Sequence, residues 1–197
     1  IKELKKKYSL EGLLVILIDI GNTNIVFAVS SNNILKNIIR IESNQNNNQL
    51  NISIKKIIKK LIKIKKLDSP NRAIISSVVP SLNKSIIKIL KINKINELFL
   101  KSKNIWSFLK IDYNLNEIGA DRIANSIAII NNNINNSIVI DFGTATTFEV
   151  IKESIFSGGL IFPGINLSKN ALINKTSLLR NTDVVKTKNI VAKNTKD

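Results

Sequence analysis

Residues 137–149 read SIVIDFGTATTFE. A short apolar run ends in a single acid, Asp141, and a glycine and three threonines follow within six residues. An apolar run of this length, closed by a turn, has the pattern of a strand covered on both faces. The acid stands where such a strand leaves the core. Residues 14–25, LVILIDIGNTNI, have the same grammar: apolar strand, Asp19, then Gly21 and Thr23. One such turn is explained by Asp and Gly as ordinary turn formers. Two of them, each opening a run of three strands, point to a duplicated unit.

The elements around each turn fit that reading. After the strand at 13–19 come GNTN as a turn and strands at 25–29 (IVFAV) and 34–41 (ILKNIIRI), joined by SSNN. SNQNNNQ at 43–49 is a polar loop. Within 50–66, Ile54, Ile57, Ile58, Leu61 and Ile62 fall at helical spacing with lysines opposite. A strand at 73–79 is stopped by Pro80, and a helix over 81–91 opens on Ser81 as N-cap. ELFL at 97–100 is a short strand, and a helix spans 119–131. Strands at 137–141, 146–151 and 155–161 then repeat the opening order, and a last helix begins with Pro163 near its start. The expected class is α/β.

The residue types at the two turns suit phosphate and metal handling. An Asp at a strand end projects from a fixed backbone. A hydrated Mg²⁺ prefers one or two such carboxylates together with phosphate oxygens and waters. Gly21 and Gly143 allow the turn to approach a phosphate without a Cβ, and backbone N–H groups there can form an anion-binding concavity. Thr23, Thr144, Thr146 and Thr147 add hydroxyl donors.

Composition removes several chemistries. Cysteine and histidine are both absent, so disulfides, thiol nucleophiles, Ser-His triads and the usual zinc ligands are excluded. A general base must then be a carboxylate, a lysine or a tyrosine. The net charge is +16, which suggests a nucleic-acid partner. However, 93 of the 197 residues are Ile, Asn or Lys, all served by A/T-rich codons, and only 4 are Arg. Arg is the residue favoured for clamping phosphates and reading bases. Biased codon supply is therefore the preferred explanation of the charge, and no nucleic-acid role is expected. The chain has no run of 18 apolar, uncharged residues, and the basic start runs into Asp19 without a small-residue cleavage site. No membrane span is expected, and the expected location is cytoplasmic.

Six stretches, in order, carry a resemblance: DIGNTNIVFAV, AIISSVVPSL, IGADRIAN, DFGTATTFEVI, GGLIFPGINLSKNAL and VAKNT. Together they resemble the type III pantothenate kinases, of the actin, sugar-kinase and heat-shock-chaperone ATPase superfamily. The resemblance covers about residues 13–197. It implies two ribonuclease-H-like domains and ATP-dependent phosphorylation of pantothenate, the first step towards coenzyme A. The implied layout is a basic extension at 1–12, a first domain at 13–118 and a second at 119–197 that is C-terminally incomplete, with one sheet face left exposed.

The resemblance also implies roles. Asp19, Gly21, Asn22, Thr23 and Asn24 lie in the first phosphate motif, with Asp19 on magnesium. Gly119, Ala120, Asp121 and Arg122 match the substrate motif, in which Asp121 corresponds to the general base. Asp141 corresponds to the ligand of a monovalent cation, K⁺ or NH₄⁺. Thr144 and Thr146 face ATP, as does the loop bearing Gly158, Gly159 and Gly164. Thr195, in AKNT, matches a substrate-binding Thr. A substrate-contacting Tyr is expected one place from Tyr113. Read bottom-up, Arg122 either clamps a substrate anion or pairs with an acid of its own domain. Family members are commonly dimeric, so a homodimer is expected.

The chain departs from the family pattern at Leu115, where Pro is usual, in TSLLR at 176–180, which lacks a Pro, and at Ala192, where GxNT has Gly. Two other functions stay open on this footing. One is a nucleotide-binding regulator or inactive remnant of the same fold. The other is a basic nucleic-acid binder resting on charge alone.

Overall fold

In the computed structural model, residues 14–32, 34–63, 71–101, 109–114, 116–177 and 191 are described. Thr195, Leu115, Ala192 and the extension at 1–12 lie outside them. The chain is mixed α/β with two sheets. The first is formed by β1 (Val15–Ile20), β2 (Asn24–Ser31), β3 (Ile34–Glu42), β4 (Arg72–Ser77) and β5 (Asn96–Phe99), in the order β3-β2-β1-β4-β5. β1 pairs antiparallel with β2 and parallel with β4. The second contains β6 (Lys110–Ile111), β7 (Ser137–Phe142), β8 (Ala145–Lys152) and β9 (Ile155–Pro163), in the order β6-β9-β8-β7. The helices are α1 (Asn47–Ile62), α2 (Pro80–Ile92), α3 (Ala120–Ile130) and α4 (Ile165–Lys175).

β1 shows why its sequence reads as an unbroken apolar run. Ile16, Ile18 and Ile20 face a core built with Leu50, Ile54, Ile58 and Leu61 of α1 and Ile86, Ile89 and Leu90 of α2. Val15, on the other face, joins a second cluster with Ile74 of β4 and Ile123 and Ile127 of α3. Both faces are covered, so alternation is lost. Asp19 falls on the α3 side by the two-residue period of a strand, and it is exposed.

Two helix openings differ from expectation. α2 begins at Pro80 with Val79 as N-cap, not at Ser81. Proline fits the first turn because its missing N–H would be unpaired there. No side chain caps α2; just before it, Ser77 Oγ accepts the Val79 N–H at 3.3 Å and donates to Asn83 Oδ1 at 2.6 Å. Pro163 ends β9, and α4 is capped by Gly164. The short β6 was not legible in the sequence.

The chain separates into two units by contact. Unit 1 is 1–139 with 149–158, and unit 2 is 140–148 with 159–197. By contact, α3 and residues 149–158 group with unit 1. Unit 1 holds both buried clusters. In unit 2, Phe148 and Phe162 meet edge to face at 5.9 Å. Its Ile140, Phe142, Leu160 and Phe162 are exposed by 48% to 71%, and no residue of α4 is buried.

Candidate active site

In unit 1 the DIGNT turn is held by the loop that follows β3. The Gly21 N–H donates to Asn24 O at 2.9 Å. Ser43 Oγ donates to Gly21 O at 2.6 Å, and the Ser43 N–H donates to Thr23 O at 2.9 Å. A Cβ on Gly21 would stand 3.1 Å from Asn24 O, so glycine keeps the turn tight. Asn22 and Thr23 are exposed beside Asp19. Ser43 was not expected in the site, because a Ser opening an Asn-rich loop carries no signal of its own.

The GADR stretch, residues 119–122, lies at the start of α3. Ala120, Arg122, Ile123, Ser126 and Ile127 form the buried stripe of that helix, and Asp121 is half-buried. Asp121 Oδ1 accepts the N–H of Arg122 at 2.8 Å. A Cβ on Gly119 would fall on that same carboxylate oxygen, so glycine lets the carboxyl fold over the helix start. The same Cβ would be 3.7 Å from Val78 Cγ1, and the Val78 N–H donates to Ile20 O at 3.0 Å. The structure therefore brings the start of α3 against Val78, which follows β4 and is bonded to the last residue of β1. Asp19 and Asp121 lie on the same side of the first sheet.

Arg122 pairs with an acid, one of the two roles expected of it. It is 5% exposed, and its Nε donates to Glu149 Oε1 at 3.1 Å. Its guanidinium carbon lies 5.4 Å from the centroid of the Phe156 ring. Tyr113 packs edge-on against Phe156 at 5.8 Å. Gly158, at φ 107°, is in the left-handed region that favours glycine, and a Cβ there would meet the Tyr113 ring at 3.5 Å. Tyr113 and Arg122 thus both pack on the Phe156 ring, and Gly158 lies against Tyr113. Glu149 and Phe156 were not anticipated. The inward alternation of Thr147, Glu149 and Ile151 could have flagged the first.

In unit 2 the Gly143 N–H donates to Ala145 O and the Gly164 N–H to Thr144 O, each at 3.0 Å. A Cβ on Gly164 would fall on the carbonyl oxygens of Gly143 and Thr144. Gly158 and Gly159 lie within strand β9, not in a loop as expected, and Gly164, which follows the strand, is therefore seated on the DFGT turn. Asp141, Thr144 and Gly159 are exposed, and Thr146 is half-buried.

Among the described residues, no three His, Cys, Asp or Glu side chains gather as a metal cage. The donor set at Asp19, one exposed carboxylate beside an amide and a hydroxyl, fits magnesium shared with phosphate oxygens and waters. Asp141, an exposed carboxylate, fits one hard oxygen ligand for a monovalent cation. No helix among the described residues is long and apolar enough to cross a membrane.

The family model described as type III pantothenate kinase matches residues 15–197. A curated type III pantothenate kinase from Pelagibacter ubique is 38% identical over 185 residues, covering 92% of this chain and 72% of that protein. One from Sulfurihydrogenibium sp. is 47% identical over 128 residues, 64% of this chain and 50% of that protein. Among solved structures, the ethanolamine utilization protein EutJ from Carboxydothermus hydrogenoformans is similar at 16% identity and TM-score 0.48, covering 88% of this chain and 65% of that one.

Proposed function

Because the chain belongs to the type III pantothenate kinase family, we propose that it transfers the γ-phosphoryl group of ATP to the hydroxyl of pantothenate, giving 4'-phosphopantothenate at the entry to coenzyme A synthesis. The observation that carries this reading is the placement of Asp19 and Asp121 on one side of the first sheet of unit 1. One acid there can serve a metal-bound phosphate and the other a hydroxyl.

Phosphoryl transfer asks a protein mainly for positioning and charge neutralisation. In this reading Asp121 accepts the proton of the attacking hydroxyl. One of its oxygens is already held by the Arg122 N–H, which fixes the carboxylate. Gly119, Ala120, Tyr113 and Thr195 shape the pantothenate side, and Arg122 contributes from its buried pair. Asp19, with Gly21, Asn22, Thr23 and Asn24, holds magnesium and the phosphates. Thr144, Thr146, Gly158, Gly159 and Gly164 serve ATP, and Asp141 holds K⁺ or NH₄⁺. Magnesium, when bound, supplies charge neutralisation at the phosphates. A cytoplasmic homodimer completes the proposal, and the apolar side chains exposed on unit 2 give a second copy something to cover.

The test is a coupled ADP-release assay on the 197-residue chain with pantothenate and Mg²⁺, with and without K⁺ or NH₄⁺. The expected result is pantothenate-dependent turnover that needs the monovalent cation. Asp121→Asn should lower kcat by at least about 10²-fold, the usual range for losing a general base, with ATP binding retained. Folded protein that binds ATP without turnover would instead favour the nucleotide-binding remnant. Normal turnover by Asp121→Asn would remove the base assignment.

A further inference from the structure

Glu149 closes the stretch SIVIDFGTATTFE, and no role was expected of it. It points inward from β8 and is 0% exposed. A carboxylate so enclosed is costly unless paired. Its partner Arg122 is gripped on two sides, by Glu149 Oε1 at 3.1 Å and by the Phe156 ring at 5.4 Å. Both contacts lie within unit 1. Yet Glu149 Oε2, also buried, has no hydrogen-bond partner. The pair is thus short of the saturated two-oxygen fork that makes such pairs strong. Buried ion pairs can often be replaced by apolar residues without loss of stability, so stability alone accounts poorly for this one.

The backbone of Arg122 supplies the missing reason. Its N–H holds Asp121 Oδ1 at 2.8 Å, and its carbonyl accepts Ser126 Oγ at 2.8 Å. Whatever fixes Arg122 also fixes the carboxylate before it. We propose that Glu149 is a positioning residue for phosphoryl transfer: by anchoring Arg122 it holds the first turn of α3 so that Asp121 is presented in one orientation. This rests on the reading of Asp121 as general base.

The test compares the wild-type chain with Glu149→Gln, Arg122→Met and the double variant Arg122→Met/Glu149→Met, by steady-state kinetics and thermal melts. Glu149→Gln is expected to lower kcat about 10- to 100-fold, with both KM values within about twofold, the pattern of a lost transition-state interaction. The double variant should melt no lower than the single ones, yet keep a kcat as low as theirs, because the two residues act as one unit. Wild-type kcat in Glu149→Gln or in the double variant would overturn the proposal. So would a change confined to melting temperature, or failure of every variant to fold, either of which would make the pair structural. A wild-type chain without pantothenate-dependent turnover would remove the kinase reading itself, an outcome visible before any variant is compared.

Discussion

At the scale of single residues, glycines give the sharpest contrast. Gly164 is buried, and a Cβ there would collide with two backbone carbonyl oxygens of the DFGT turn, which cannot swing away as a side-chain tip can. A Cβ on Gly143 would stand 3.4 Å from Ala145 O, an ordinary contact. Gly164→Ala is therefore predicted to destabilise the chain by about 1–3 kcal/mol, in the range of overpacked sites, and to raise KM for ATP more than KM for pantothenate. Gly143→Ala should do neither to the same extent. Denaturant melts and the two KM values check this, and equal effects of the two substitutions would contradict it. Residues of this kind were legible in part. Asp19 and Asp141 stood out because an acid ends an apolar run. Glu149 did not, because a single acid within a strand reads as a solvent-facing position until alternation with Thr147 and Ile151 is followed through. Nothing in the sequence names Ser43 as the clasp of the first turn, since its contacts with Gly21 and Thr23 are made across a hairpin.

At the scale of elements, periodicity located the strands and helices well, while their ends were set by contacts the sequence does not display. β1 and α1 were legible because their apolar spacing is dictated by the core they share. The start of α2 was not. Ser81 has the composition of an N-cap, but Pro80 already fits the first helical turn, and Ser77, at the end of β4, bonds the N–H of the N-cap residue Val79 and the side chain of Asn83. Ser81 is exposed and Ser77 is half-buried. Ser77→Ala is predicted to cost about 1 kcal/mol, the usual net value for lost hydrogen bonds of this kind, whereas Ser81→Ala should stay within about 0.5 kcal/mol, as exposed substitutions do. Urea unfolding of the two variants decides it, and a larger loss from Ser81→Ala would restore the cap suggested by composition. β6 escaped notice for a different reason. Two residues carry no period, and the strand exists through its pairing with Ile155 and Phe156.

At the scale of the whole molecule, the feature most open to misreading is charge. The chain carries 30 basic and 14 acidic residues, and α1 has no acid at all. Lys56, Lys59, Lys60 and Lys63 share one surface of that helix, where four like charges repel rather than stabilise. The opposite face of α1 is committed to the core through Leu50, Ile54, Ile57, Ile58 and Leu61, so its apolar side is not available to a lipid surface. What remains is a diffuse positive field carried by lysine, a strongly hydrated point charge without the planar fork that reads bases. Such a field attracts any polyanion weakly, and counterion release makes the attraction collapse with salt. Binding to a 20-bp DNA duplex, followed by fluorescence anisotropy, is accordingly predicted to be sequence-independent, with a Kd of about 10⁻⁴ M or weaker at physiological salt, the weak end of non-specific binding. A submicromolar Kd under those conditions, or a preference between two duplexes of equal length, would show that the lysines form a specific surface, and the composition of the chain would then need a functional explanation beside its codon usage.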